Sequence, residues 1–580
     1  MTAEPAARAV YLDAASGPVF GMLHEPVADR SATAVLLLPP WGWEEVASYR
    51  SRRAWAQQLA AAGHRVLRID LPGTGDSAGE PHDPEQVEAW ACAIAAATAW
   101  LRADGAERVA VIGLGLAGLL AGKALHAGAE IDDLVLWGTP SRGRSFVREA
   151  RAFSRMQTSY VVEPDGREAL RAGSMEVNGF VLSAETIAAL GSLEMRSLEL
   201  GRLRRALLLE RDGLGVDAQL AEQLTGCGVT VTVAPGPGWE AMTMHPAEFH
   251  PPQEVIKAVS AWLAAALASG GSAVPRTTDS STALVADGVR ESPLVIDGPS
   301  GRLFGVMAEP AAGPRGRFTV VFLNAGAVRR IGPNRIWVET ARRWAARGVA
   351  SLRIDVEGLG DSDGDAARYA EVGELYESPL GNQVISFLDA LEARGEASRF
   401  MLVGLCAGGY WGFQTAARDP RIDAAVLLNP GALVWDPALI PTRDARKLRN
   451  LGRARGWRKL ARGRVSPRRM LTVARAALSS VRGARSADTT RHDVAARIEA
   501  LLDGVHQMGT RIVIAFAANE PLRAELEAAG IIERAGKWPM LQLVDLPGGD
   551  HTVRPAVAQS AVHQLLDREL ERQLMLRDDH

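Results

Sequence analysis

The chain has 580 residues, 47% hydrophobic and 23% charged, with a formal net charge of −3. That length exceeds what one hydrophobic core sustains and points to two or more domains of roughly 100 to 250 residues. The composition excludes a disordered chain, the near-neutral charge argues against nucleic acid as a partner, and three scattered cysteines, Cys92, Cys227 and Cys406, exclude a disulfide framework or a zinc site.

At the amino terminus, MTAEPAARAVYLDAASG has no basic region leading into an apolar core. No later stretch keeps the roughly 18 uncharged apolar residues that crossing a bilayer needs. The expectation is a cytoplasmic protein with no membrane contact. The first strand signals are SGPVFGMLHEP (16–26), AVLLLPPWGW (34–43) and LAAAGHRVLRIDLPGTGDSAG (59–79). Farther on, Ile112-Gly113-Leu114-Gly115-Leu116-Ala117-Gly118 joins an apolar run to an alanine-rich helical stretch. Residues 268–288, ASGGSAVPRTTDSSTALVADG, are small and polar and read as a linker.

Beyond the linker the same words return after about 285 residues: SGRLFGVMAEP (300–310), VVFLNAGAVRR (320–330) and AARGVASLRIDVEGLGDSDG (345–364). The near-constant offset reads as two copies of one architecture, 1–267 and 289–580. Within each copy, short β-branched runs alternate with longer amphipathic ones, as in RFMLVGL, an alanine-rich helix, then AAVLLNP. Such alternation predicts the α/β class, with mostly parallel, doubly wound sheets.

The most specific motif follows RFMLVGL: Gly404-Leu405-Cys406-Ala407-Gly408-Gly409, a G-x-C-x-G-G turn between a strand and a helix. A nucleophile on such a turn has a strained backbone and needs small residues two positions either side. The positive end of the following helix favours thiolate over thiol. Cys92 and Cys227 lack such a setting and are expected to be small buried hydrophobes.

On these motifs the second half resembles the α/β-hydrolase superfamily, and most closely the exosortase-A-system-associated hydrolases, through NAGAVRRIGPNR, LRIDVEGLGDSDG and VGLCAGGY. The first half is similar to a sister group of that family, through SRRAWAQQLAAAGHRVLRIDLPGTGDSAG and PGPGWEAM. The resemblance implies two tandem α/β-hydrolase domains. In the first, Gly115 stands where Cys406 stands in the second, and glycine offers no nucleophile. A dinucleotide fingerprint is the other reading of GLGLAG, but it falls too late in its half.

In this superfamily the chain order is nucleophile, acid, histidine. The resemblance places the histidine at His551, in Gly548-Gly549-Asp550-His551, and the acid at Glu520, with Asp488, Asp493 and Asp550 open as alternatives. His492, His506, His563 and His580 fall in helical or terminal contexts. Backbone donors for an oxyanion are expected at Ala407 and at Ala325 and Gly326. The matching turn of the first half, Pro39-Pro40-Trp41-Gly42, has two prolines that lack an N–H, and neither His245 nor His250 lies in a Gly-Asp-His turn. The first half is expected to be catalytically silent.

Residues 436–495 fall where this fold carries a cap, and 443–491 are crowded with cations, among them Arg453, Arg455, Arg458 and Lys459. A solvated helical face is one reading of such a run. The other is a positive entrance for an anionic substrate such as coenzyme A or an acidic carrier protein. Because a cysteine acyl-enzyme is itself a thioester, the expected function is acyl transfer or thioester hydrolysis on an acyl thioester. An ester or lactone hydrolase and a non-catalytic scaffold are the alternatives. No metal or cofactor is expected.

Overall fold

The computed structural model describes residues 7–26, 31–158, 171–265, 282–312, 316–369, 372–376, 379–436 and 484–578. In the first half the strands are β1 (Ala7–Leu12), β2 (Val19–His24), β3 (Thr33–Leu38), β4 (Val66–Ile69), β5 (Arg108–Leu114), β6 (Asp133–Trp137), β7 (Met175–Val177), β8 (Phe180–Leu182), β9 (Arg205–Leu209) and β10 (Thr230–Ala234). The main sheet runs β1-β2-β4-β3-β5-β6-β9-β10, with β7 and β8 forming a separate hairpin. The pairs β1–β2 and β2–β4 are antiparallel, and β3, β5, β6, β9 and β10 run parallel. Every residue of β3, TAVLLL, is buried, as a central strand covered by helices on both faces requires.

The second half continues with β11 (Leu284–Ala286), β12 (Val289–Gly298), β13 (Gly301–Pro310), β14 (Phe318–Ala325), β15 (Ala350–Asp355), β16 (Arg399–Leu405), β17 (Ile422–Leu428), β18 (Arg511–Phe516) and β19 (Leu541–Asp545). Its sheet runs β11-β12-β13-β15-β14-β16-β17-β18-β19. Apart from the added β11, this is the strand order of the first half, so two α/β domains of one topology are present. The repeated words occupy equivalent places: SGPVFGMLHEP forms β2, and SGRLFGVMAEP forms β13.

Some expectations need correcting. The end of the stretch read as a linker is strand, since Leu284–Ala286 pairs antiparallel with Val289–Glu291; residues 268–281 lie outside the described residues. Cys92 and Cys227 are exposed rather than buried. Cys92 lies on the outer side of the helix Gln86–Ala103, and Cys227 caps the end of the helix Ala218–Gly226, so neither meets a core. The basic run falls largely outside the description, and Arg453, Arg455, Arg458 and Lys459 with it. What is described of 436–495 ends in one helix, Ala484–Gln507, leading into β18.

The halves meet through buried ion pairs built from the repeated words LRID and GDS. Arg68 reaches across to Asp361 at 2.7 Å, and Arg353 reaches back to Asp76. Between them, Arg330 bridges Asp76 and Asp355 at 2.7 Å each and Asp361 at 2.8 Å. Its guanidinium carbon lies 5.2 Å from the Phe20 ring centre and 4.4 Å from that of Phe304. Arg329 adds Asp70 at 2.9 Å and Glu45 at 3.2 Å. Each GDS serine serves its own half alike: Phe20 N–H donates to Ser77 Oγ and Phe304 N–H to Ser362 Oγ, both at 2.8 Å. Charges so far from water are tolerable because each faces an opposite charge.

Candidate active site

The site is assembled at the carboxyl ends of β16, β17 and β18. Cys406 lies between β16 and the helix Ala407–Ala416, with φ 58° and ψ −115°, a region that costs a residue with a side chain about 1–3 kcal/mol. The small neighbours make this turn possible. A Cβ on Gly404 would lie 2.4 Å from the Gly408 carbonyl carbon, and one on Gly408 would lie 2.1 Å from the Asn324 carbonyl oxygen. That second approach brings the end of β14, with Ala325 and Gly326, against the start of the helix beginning at Ala407.

His551 and Glu520 arrive from two separate loops and meet. Glu520, with its side chain only 5% exposed, accepts from His551 Nδ1 at 3.0 Å, while the imidazole is 44% exposed. His551 in turn is close enough to Cys406 to shift the thiol by its charge and hydrogen-bonding capacity. Asp550 is turned to other partners, Arg554 at 2.6 Å and Thr552 at 3.2 Å, and Asp493 is exposed on its helix. The side chain of Asp488 lies outside the described residues.

Burial alone would push the Cys406 thiol up, but the hydrogen bond and charge of His551, with the Tyr376 hydroxyl and the Ala407 N–H, bring it below the ordinary thiol value. Burial likewise opposes the His551 imidazolium, yet its bonds to Cys406 and Glu520 raise it above the ordinary histidine range. Both shifts favour a thiolate–imidazolium pair.

Two residues of the site carry no sequence motif. Tyr376 places its hydroxyl 3.4 Å from Cys406 Sγ and stacks on Trp435 with ring centres 4.5 Å apart. The preceding carbonyl of Leu375 accepts from Trp411 Nε1 at 2.7 Å, which anchors the segment. Gly431 leaves room for the ring, since a Cβ there would lie 2.0 Å from the Tyr376 oxygen. Asn429, at the end of β17, ties both loops together: its Nδ2 donates to the His551 carbonyl at 2.9 Å and its Oδ1 accepts from Ala517 N–H at 2.7 Å.

The corresponding turn of the first half has the same backbone, with Gly115 at φ 56° and ψ −126°. A Cβ at Gly115 would meet the Trp239 ring at 3.3 Å, so an indole occupies the space above this turn. No group of His, Cys, Asp and Glu suited to a metal ion occurs among the described residues, and no described helix is long and apolar enough to cross a membrane.

Residues 331–553 match the family model described as serine aminopeptidase, S33. No curated relative matches the chain. Among solved structures it is similar to Est1E from Butyrivibrio proteoclasticus, at 14% identity over 44% of this chain and 98% of that one, with a TM-score of 0.32. An esterase described as novel and cold-adapted, from an Arctic intertidal metagenomic library, is 17% identical over 49% of this chain and 96% of its own, with a TM-score of 0.31. The dienelactone hydrolase from Anabaena variabilis is 16% identical over 48% and 96%, with a TM-score of 0.31. The matched family and the strand order together support the α/β-hydrolase superfamily and a hydrolase-type enzyme. The matched description names serine, whereas this chain carries cysteine at the turn.

Proposed function

We propose that the second half forms an acyl-enzyme on Cys406 and passes the acyl group onward, as an acyltransferase or thioesterase acting on a coenzyme A or carrier-protein thioester. The observation that carries this reading is the His551–Glu520 hydrogen bond at 3.0 Å beside a sulfur held at a strained strand-to-helix turn and lowered in pKa by that imidazole. The Cys406 thiolate attacks the substrate carbonyl, whose oxygen takes the negative charge beside Ala407, Ala325 and Gly326. The C–S bond of the substrate breaks as the His551 imidazolium gives its proton to the leaving thiol. The acceptor then loses its proton to His551 and attacks the Cys406 thioester, which restores the thiolate. Glu520 holds the imidazole so that its other nitrogen faces the sulfur. Arg453, Arg455, Arg458 and Lys459 are proposed to draw in the phosphates of the coenzyme or carrier.

A second reading, an ester or lactone hydrolase with water as the acceptor, is favoured by the match of residues 331–553 to a hydrolase family. The first half we read as a copy of the same unit emptied of its nucleophile. The test is intact mass spectrometry of the protein mixed with acyl-coenzyme A, with thiol and amine acceptors added or withheld. The expected result is an acyl group on Cys406, absent in Cys406→Ala, whose turnover falls about 10⁴-fold. Products diverted to the acceptor support transfer, and products unchanged by it support the hydrolase. Retained turnover in Cys406→Ala would sink both.

A further inference from the structure

A cavity of about 600 Å³ lies beside the empty turn of the first half, with Gly115, Leu116 and the Trp239 indole in its lining. Five aromatic rings line it, those of Trp41, Trp43, Phe146, Phe153 and Trp239. Phe153, Leu214 and Met244, also in its wall, are 49%, 67% and 52% exposed. Apolar side chains left facing water around a cavity mark a place where something apolar binds.

Its charged groups narrow what that can be. Among the described residues, Glu44, Glu149, Asp217 and Glu240 line the cavity against one cation, Arg211. Asp217 is committed to its own fold, accepting from Ser141 Oγ at 2.5 Å and from Gln219 N–H at 3.0 Å. Arg211 is likewise occupied, with Glu44 at 4.0 Å, Glu149 at 3.9 Å and its guanidinium 5.2 Å from the Trp239 ring centre. An anion would therefore meet an excess of carboxylate, and Arg211, the one described cation in the lining, is already paired. A neutral chain would leave the carboxylates facing apolar surface.

A positive nitrogen on an apolar body answers both, because ring faces and carboxylates attract the same charge. Glu44, which accepts from Trp239 Nε1 at 3.1 Å, joins the two, as its carboxylate lies at the edge of the indole that roofs Gly115. Burial pushes the Glu44 carboxyl above its usual range, and a cation seated beside it would restore the carboxylate. We propose that this cavity is a non-catalytic binding site for an apolar amine or other organic cation. Nothing in it depends on the chemistry at Cys406.

The test uses the full chain and n-hexylammonium, with hexanoate and hexanol as comparators. Binding is read by tryptophan fluorescence and calorimetry in the wild type, in Cys406→Ala, and in Glu44→Gln and Glu149→Gln. Hexylammonium should bind in preference to both comparators, equally well in Cys406→Ala, and about tenfold more weakly in each glutamine variant. The Glu149 side chain is 54% exposed, so its variant decides the matter should Glu44→Gln fail to fold. Hexanoate or hexanol binding as tightly as the ammonium, no binding of the ammonium at all, or affinity unchanged in the folded glutamine variants would overturn the proposal.

Discussion

In the proposed mechanism Cys406 acts only as a thiolate and His551 only while it can hold a proton, and the two states stabilise each other. The lowered thiol and the raised imidazole mean that the charged pair is present from below the ordinary thiol value, roughly 8.5, to above the ordinary histidine value, roughly 6.5. A plateau of reactivity spanning neutral pH is therefore expected, falling on the acid side as the sulfur gains its proton. The turn at Cys406 and the pairing of His551 with Glu520 were legible because a turn of this kind admits few residue types and because the resembled superfamily keeps a fixed chain order. Tyr376 and Asn429 were not legible. Their roles come from where the segment 372–376 and the end of β17 meet the site, which no local pattern encodes.

At the scale of elements, a hairpin of the first half holds the start of the helix Ala556–Asp578, which follows the loop carrying His551 in the second. Asn178 and Gly179, with φ 52° and 86°, make the tight turn between β7 and β8. Gly179 O accepts from Gln559 Nε2 at 2.8 Å, and Glu176 Oε2 accepts from Ala556 N–H at 3.3 Å. In the same loop Val553 is held at φ 55°, an unfavourable value for a β-branched residue, and Trp43 lies 5.7 Å below the Arg554 guanidinium. A Cβ on Gly179 would lie 2.3 Å from the Arg554 carbonyl oxygen, so Gly179→Val must displace this loop. Its expected effect is a fall in kcat of about a hundredfold with the circular dichroism spectrum and KM nearly unchanged; wild-type kcat would show that the hairpin does not position His551. The Asn-Gly turn is readable in the sequence, but the start of the helix Ala556–Asp578 that it meets is 380 residues away. Such a contact follows only from how the two sheets are placed.

For the molecule as a whole, the Arg–Asp network joins two domains that the sequence identifies only as similar. The repeats LRID and GDS were visible, and their exchange of partners was not, because a repeated word does not say whether it packs within its own copy or against the other. Burial alone would raise Asp76 and Asp361, but Arg330 and Arg353 for the first, and Arg68 and Arg330 for the second, hold them well below the usual carboxylate range. Asp355 shifts upward, chiefly through burial, and opposes them in part. A depressed carboxyl contributes stability that is fully present above its unfolded value, roughly 3.9, and is lost as pH falls through the folded value. The thermal midpoint should thus be flat near neutrality and fall below about pH 4. Asp76→Asn, which leaves Arg330 and Arg353 short of a counter-charge, is expected to cost about 3–5 kcal/mol in denaturant unfolding. A cost under about 1 kcal/mol would mean that the network does not hold the halves together.

The central claim, an ionised Cys406 poised by His551, is tested most directly by the pH dependence of its alkylation with iodoacetamide, followed by peptide mass. The account predicts rapid labelling of Cys406 at neutral pH, with a midpoint that rises toward about 8.5 in His551→Ala. Slow labelling in the wild type, or a midpoint that His551→Ala leaves in place, would contradict it.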